Sequence, residues 1–306
     1  MLTYTLRRLL MLVPVLFGVA FLSFAIIQVT PGDPVVMMLG PHATPERVAE
    51  FREQLGLDDP ILVQYGRYVW NAIHGDLGKS FRGQTPVMRE ILDRFPSTFR
   101  LTLAAMLLAI PGGVFIGIVA ATARRKWVDS ATMLVALVGL SIPNFYLGII
   151  LILVFGVMLG WVSTTGGEGM KDLIMPAFTL ALAPAAVLAR LTRSSILEII
   201  REDYVRTARS KGLNWRAVTR VHILRNALCP VVTVIGLEFA SMLGGTVFIE
   251  NVFARPGIGR FAVNAILARD FPQIQGVVLF AATIYVLLNL AVDLVYGFLD
   301  PRIRFE

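Results

Sequence analysis

The chain has 306 residues, of which 56% are hydrophobic and only 16% are charged, and its formal net charge is +7. A soluble domain carries about 25% charged residues, whereas here long apolar blocks alternate with clusters of charge. This pattern argues against a soluble fold. It also argues against a nucleic-acid-binding protein, because basic clusters between apolar blocks are what orient membrane proteins.

Residues that build disulfides and metal sites are scarce. Cys229 is the single cysteine, which excludes an intrachain disulfide and a cysteine-based metal cluster within the chain. His42, His74 and His222 lie far apart in the sequence and lack the spacing of metal ligands. Neither a metal nor a cofactor is predicted.

Apolar blocks of the length that a helix needs to cross a bilayer, about 20 residues, recur along the whole chain. We predict six spans, at residues 9–29, 101–121, 130–161, 173–189, 228–249 and 276–298. The first follows Arg7 and Arg8. It is longer than the apolar part of a signal peptide and no A-x-A site follows it, so we expect an uncleaved anchor.

The block at 130–161 has 32 residues and is compatible with one long kinked helix or with two short spans. Pro143 is expected to break or bend it. Residues 190–225 carry nine Lys or Arg against three acids and should be cytoplasmic. Only a single crossing within 130–161 places them there. Both termini are then cytoplasmic, in agreement with the basic clusters at 124–126 and 302–304.

Between the first two spans, about 70 residues are expected outside the membrane as short helices. Thr44 and Pro45 are typical of a helix start, and Gly56 is suited to end that helix. Thr85 and Pro86 predict a second start.

The sequence contains no catalytic constellation. Gly78-Lys-Ser80 resembles the end of a phosphate-binding loop, but position 73, where that loop needs a glycine, is Ile73. An enzyme interpretation therefore has no named catalyst.

Small residues recur at four-residue spacing within the spans, at Gly113 and Gly117 and again at Gly236, Ala240 and Gly244. Such ladders let helix backbones approach closely in lipid, either inside one subunit or against a partner. Glu238 lies in the same span as the second ladder. An ionisable residue inside a span faces a cavity or a partner, so pathway lining and structural pairing both remain open for it.

The basic segment is predicted to form two helices. Residues 197–211 have helical character and stop at Gly212, a good helix-ending residue, and Asn214 is suited to cap a second helix that runs through Leu228. Such a pair is either an amphipathic element on anionic lipid or an element that docks into a soluble partner.

Several motifs resemble the permease subunits of ATP-binding-cassette (ABC) importers, in the dipeptide, oligopeptide, glutathione and nickel branch. Asp203-Tyr-Val-Arg-Thr-Ala-Arg-Ser-Lys-Gly-Leu213, followed by Arg225-Asn-Ala-Leu-Cys-Pro230, is similar to their coupling loop. Further similar segments begin at Pro31, Leu55, Gly75, Asn251, Pro256 and Leu299, so the resemblance covers the whole chain. The chain is most similar to the first permease subunit of such importers.

The resemblance implies an all-α membrane protein with the type I importer permease fold. Its parts would be an anchor helix (1–29), an external helical segment (30–100), a transmembrane domain (101–298) containing a coupling loop (194–227), and a cytoplasmic tail (299–306). The implied coupling residues are Asp203, Tyr204, Thr207, Ala208, Gly212, Leu213, Arg225 and Asn226.

The resemblance also implies the partners. These are a second, homologous permease, two cytoplasmic ATPase subunits that hydrolyse the ATP, and an external binding protein that delivers a peptide-type solute. A nickel importer of the same family is the alternative. A self-sufficient secondary transporter is disfavoured, because the halves show no internal repeat and the spans hold few charges.

The single crossing at 130–161 predicts opposite sides for Gly166 and Arg209. Reporter fusions should read Gly166 as external and Arg209 as cytoplasmic. If both fusions report the same side, the block crosses the membrane twice and the proposed topology is wrong.

Overall fold

The computed structural model describes residues 2–29, 32–40, 43–123, 125–162, 167 and 169–299, and it is helical throughout this part of the chain apart from turns and one isolated bridge. Pro31, His42, Arg124, Gly166 and residues 300–306 of the predicted tail lie outside the described residues. The α-helices are α1 (Leu2–Val29), α2 (Pro34–Leu39), α3 (Pro45–Leu55), α4 (Ile61–Ile73), α5 (Val87–Thr122), α6 (Lys126–Ser141), α7 (Asn144–Leu151), α8 (Met170–Ile199), α9 (Asp203–Ser210), α10 (Trp215–Ala217), α11 (Leu224–Val252), α12 (Ile258–Ala268) and α13 (Phe271–Leu299). Two π-helical segments, Ile152–Met158 and Val218–Ile223, continue α7 and α10.

Within the described residues, five helices are long and apolar enough to cross a membrane, and a bent pair makes a sixth if it counts as one span. The bent pair occupies the ambiguous block at 130–161. Lys126–Ser141 and Asn144–Met158 meet at 95°, with Pro143 at the break. Proline has no N–H for the helix ladder and its ring clashes with the preceding turn. The block is therefore broken rather than continuous.

The chain forms two compact units, one of residues 1–96 with 257–306 and one of residues 97–256. In the first unit α1 packs along α13. An apolar cluster lies beside this pair, formed by Leu77, Val87, Ile91, Ile258, Phe261 and Val277. Gly276 of α13 makes the close approach possible, since a Cβ there would lie 2.5 Å from Val87 Cγ1.

The short external helices follow the predicted signals in part. α3 begins at Pro45 with Thr44 as its cap and ends at Gly56 in the left-handed conformation, as expected. The helix that follows Thr85 and Pro86 also starts as predicted, but it is not short. It continues for 36 residues into the second span as α5.

Charged residues do not interrupt α5 before the predicted span. The Arg94 guanidinium donates to the Glu90 carboxylate, one helical turn away, at 2.9 Å and lies 4.3 Å from the centre of the Phe261 ring. The helix therefore begins well before the apolar block and not at its edge.

The second unit is built on close contact between α5 and α8. A Cβ added at Gly113 would lie 2.5 Å from the Ala185 carbonyl oxygen, and one at Gly117 would lie 2.6 Å from the Ala189 carbonyl oxygen. This glycine pair therefore serves packing inside the subunit. The core around it includes Leu101, Ala105, Met106, Ala109, Met175, Ala177, Leu180, Ala181, Met242, Ile249 and Phe253.

Substitution of either glycine by alanine should loosen this contact, because the obstructing atoms belong to the α8 backbone. We expect Gly113→Ala and Gly117→Ala each to cost about 1–3 kcal/mol, as overpacking does. Gly112 is the matched control on the same helix, since nothing lies within 4 Å of a Cβ there.

Thermal unfolding of the purified protein in detergent measures the effect. Gly112→Ala should be neutral or stabilising, by up to about 1 kcal/mol, from its helix propensity. Equal melting temperatures for the three variants would contradict the packing role.

Candidate coupling loop and transport pathway

The coupling-loop residues lie on a short helix set apart from the preceding span. α8 ends at Ile199, a turn follows, and α9 runs from Asp203 to Ser210. The predicted continuous helix over 197–211 is therefore wrong. The N–H groups of Arg201 and Glu202 donate three residues back, to Glu198 and Ile199, and these bonds close the turn. The end of α9 is as expected, because Gly212 has a φ of +79°.

One face of α9 is buried in the subunit. Val205 and Ala208 are only 1% and 7% exposed. They form an apolar cluster with Ile196, Val218, Ile223 and Ala227. Ala208 is one of the coupling residues that the resemblance implies, but its side chain faces this cluster. The small side chain at position 208 thus allows α9 to pack closely against its own chain.

The other face of α9 is open to solvent. Asp203, Tyr204 and Thr207 are exposed, and so are Gly212 and Leu213 beyond the helix end. These five predicted coupling residues are accessible to another protein. Their contact with an ATPase stays a prediction.

The residues from Trp215 to Asn226, which lead into α11, are called the stem below. Side chains also join α9 to this stem. Asn226 Nδ2 donates to the Tyr204 hydroxyl at 2.9 Å, so the structure brings together two of the predicted residues that are 22 positions apart. The Arg209 guanidinium lies 5.2 Å from the centre of the Trp215 ring. Arg225, the neighbouring predicted residue, is exposed.

The predicted second cytoplasmic helix and the fifth span are one element. α10 begins at Trp215, directly after Asn214, and passes through the π-helical segment into α11 without a break. Val218 and Ile223 of the π-helical segment are fully buried under α9. α9 thus packs directly against the stem of the helix that carries the candidate pathway residues.

The small-residue ladder of α11 does not form a uniform face. Ala240 is fully buried, Gly236 is half-buried and Gly244 is exposed with open space around it. Glu238 is half-buried on the same helix. The ladder therefore combines internal packing with surface that a partner or a cavity is free to use.

Two buried polar residues near the end of α11 escaped the sequence analysis. The Thr98 hydroxyl donates to the fully buried Glu250 carboxylate at 2.6 Å. The Arg255 guanidinium, also buried, donates to the carbonyl oxygens of Gly167 and Asp172 at 3.1 and 3.4 Å. Their partners lie 83 to 152 positions away in the sequence, a distance that no local pattern reveals.

No group of histidine, cysteine, aspartate or glutamate in the part of the chain that the structure describes could hold a metal ion. The contacts described above are packing surfaces and a few buried polar contacts.

Solved structures with a similar fold include ABC transporters. A methionine ABC transporter in an inward-facing conformation matches with a TM-score of 0.59 at 17% identity and covers 70% of this chain and 97% of that one. An amino acid ABC transporter matches with a TM-score of 0.53 at 20% identity and covers 70% and 94%. These likenesses establish the fold.

Curated relatives match over nearly the full length. A putative peptide transport system permease protein of Brucella abortus is 44% identical, with 98% of each chain covered. A dipeptide transport system permease protein of Alkalihalophilus pseudofirmus is 43% identical, and a glutathione transport system permease protein of Escherichia coli is 44% identical, each with 100% of both chains covered.

Two family models cover the chain. Residues 113–305 match the binding-protein-dependent transport system inner membrane component, and residues 1–102 match the N-terminal region of such a membrane component. The resemblance in the motifs, the importer fold and the full-length relatives agree with these matches. The chain belongs to the family of inner membrane components of binding-protein-dependent transport systems and is a multi-pass permease subunit of an ABC importer.

Proposed function

We propose that this permease forms half of the membrane pathway of an importer for short peptides. The observation that carries the proposal is that relatives covering the whole chain are named for peptide, dipeptide and glutathione transport. These three solutes share a peptide bond and ionic ends. A nickel importer of the same family is the less supported alternative.

The proposal includes the surroundings of the chain. A second, homologous permease completes the pathway, and an external binding protein delivers the peptide. Two cytoplasmic ATPase subunits bind the coupling loops and hydrolyse ATP. Both termini of this chain are cytoplasmic, in keeping with the basic clusters at 7–8 and 190–225.

Within the pathway we assign the lining role to Glu238, with Gly236, Ala240 and Gly244 as helix-interface positions. A half-buried carboxyl in a span is costly next to lipid. A water-filled pathway or a partner subunit relieves that cost. The open space at Gly244 supports the same placement.

The complex reconstituted in vesicles with its binding protein should import a labelled dipeptide or glutathione when ATP is supplied. Nickel uptake under the same conditions should stay at background. Glu238→Leu should lower peptide uptake without loss of assembly, while Glu238→Gln should retain more of it because the amide keeps a polar contact.

Nickel uptake without peptide uptake would refute the substrate class. Wild-type transport by Glu238→Leu would show that Glu238 does not line the pathway.

The coupling role is tested at Gly212, whose backbone has a left-handed conformation that most side chains disfavour. A β-branched residue there costs about 1 kcal/mol or more, whereas asparagine tolerates this conformation. Gly212→Val should therefore lose most solute-stimulated ATP hydrolysis and uptake, and Gly212→Asn should keep both. Equal activity of the two variants would contradict a role for this bend.

Crosslinking tests whether α9 contacts the ATPase subunits directly. Cys229 is the single cysteine, so Cys229→Ser gives a clean background. New cysteines at Thr207 and Leu213 should crosslink to the ATPase subunits. Glu46→Cys on the exposed helix α3, external in the proposed topology, is the control and should not crosslink. Absence of crosslinks at both coupling positions would mean that α9 is only a surface helix.

A further inference from the structure

Helix α4 belongs to the segment expected outside the membrane, yet it packs along the first span. The Tyr65 hydroxyl donates to the Phe17 carbonyl oxygen at 2.8 Å. The Tyr65 ring lies 5.7 Å from the Phe21 ring in an edge-to-face contact. Gln28 Nε2 donates to Gln64 Oε1 at 3.2 Å. α4 thus follows the C-terminal half of α1.

The outward surface of α4 is divided into an apolar and a polar side. Leu62 and Ile73 are 81% and 70% exposed, and Trp70 between them is exposed as well. These three residues share one side of the helix by their spacing. A solvated helix of 13 residues has no physical reason to present such a stripe to water.

The polar side of α4 is tied to the loop that precedes it. Gln64 Nε2 donates to the carbonyl oxygens of Leu57 and Asp59 at 2.8 Å each. Arg67 pairs with the Asp59 carboxylate and donates to the Leu55 carbonyl oxygen. The polar side therefore faces the hydrophilic part of the chain, and the apolar stripe is left facing away from it.

A groove of about 280 Å³ runs beneath α4, between α1 and α13. Its lining includes Val13 and Phe17 of α1, Val69 of α4, and Leu279 and Thr283 of α13. Thr283 supplies the one side-chain oxygen in this lining, and it already donates to the Leu279 carbonyl oxygen of its own helix.

Water in this groove would find almost no hydrogen-bonding partner, although the volume equals that of roughly nine water molecules in the liquid. A peptide or another polar solute would lose its hydration there without compensation. Hydrocarbon fits without such a cost.

The groove is also continuous with the lipid-facing surface of the protein. α1 and α13 both qualify as membrane spans, and Val13 and Phe17 of the lining are themselves exposed on α1. Because Tyr65 contacts Phe17, which lies near the middle of the predicted span at 9–29, α4 runs alongside this span. Its exposed apolar stripe therefore lies at the depth of the lipid tails.

We propose that α4 lies in the membrane against α1 with its apolar stripe facing lipid, and that the groove beneath it holds an acyl chain of a membrane phospholipid. The acyl chain would fill the space between α1, α4 and α13 and so hold α4 against these two spans.

The groove is tested with the whole importer in phosphatidylcholine vesicles that contain a phosphatidylcholine with a photoreactive diazirine on one acyl chain. After illumination, peptide mass spectrometry should find adducts on groove residues such as Val69 and Leu279. Val69→Phe fills the groove and should lower these adducts several-fold. Leu22→Phe is the matched control, since Leu22 is exposed on α1 and lies outside the groove lining; it should leave the adducts unchanged.

Absence of groove adducts in the wild-type complex, or equal labelling in Val69→Phe and Leu22→Phe, would overturn the lipid site. Copurification of the ATPase subunits shows whether each variant assembles, and if Val69→Phe does not, the wild-type adduct map decides. A crosslink from the groove to a protein partner in place of lipid would also overturn it.

The lipid contact of the stripe is tested with a nitroxide on Trp70→Cys, outside the groove lining, in the Cys229→Ser background. Collisions with dissolved oxygen should exceed collisions with a water-soluble nickel chelate, because oxygen concentrates in lipid. A label on Glu46→Cys of α3 should show the opposite preference. Equal preferences at the two positions would place α4 in water and refute the proposal.

Discussion

The seating of α9 on the stem of the following helix is the contact on which the proposed coupling depends. Val205 and Ala208 fill an apolar cluster with Val218 and Ile223. Burial of a side chain such as valine contributes about 1.5–3 kcal/mol, and the bond between Asn226 and Tyr204 adds a directional constraint at the same junction. A force on the exposed face of α9 would therefore act on the stem, because α9 is packed against the stem and is not part of a loose loop.

The second constraint comes from the lipid environment, in which helices that cross the membrane must pack closely against one another. Gly113 and Gly117 allow α5 to touch the backbone of α8, which is how helices associate where the hydrophobic effect cannot drive them together. A half-buried ion pair adds a polar contact between helices. Arg193 binds Asp129 through two nitrogens, at 2.5 and 2.6 Å, and so joins α8 to the first turn of α6.

Local signals in the sequence predicted local features. Thr44, Gly56 and Gly212 act through their own backbone and their nearest neighbours, and each lies where its chemistry indicated. The break at Pro143 was foreseen for the same reason. By contrast, the contact of Thr98 with Glu250 joins residues 152 positions apart, and long-range pairing leaves no periodic trace in a single sequence.

The buried face of α9 could have been predicted from the sequence. Val205 and Ala208 are an apolar pair three residues apart in an otherwise polar helix, which is the spacing of a buried face. The resemblance to a coupling loop directed Ala208 toward a partner instead. The π-helical segment, in turn, could not have been foreseen, because its hydrogen-bond register depends on how Val218 and Ile223 both reach the same cluster.

The path from α9 to Glu238 contains two points where the helix is able to yield. The first is the π-helical segment at Val218–Ile223, since π turns interrupt the regular ladder and occur often at functional sites. The second is Pro230, which removes the backbone bond to the carbonyl of Asn226. Asn226 is the residue whose side chain holds Tyr204 of α9. A displacement of the coupling helix therefore acts at the weakest part of the stem, so bending there, rather than sliding of a rigid rod about 18 Å in length between Asn226 and Glu238, is the motion that the geometry favours.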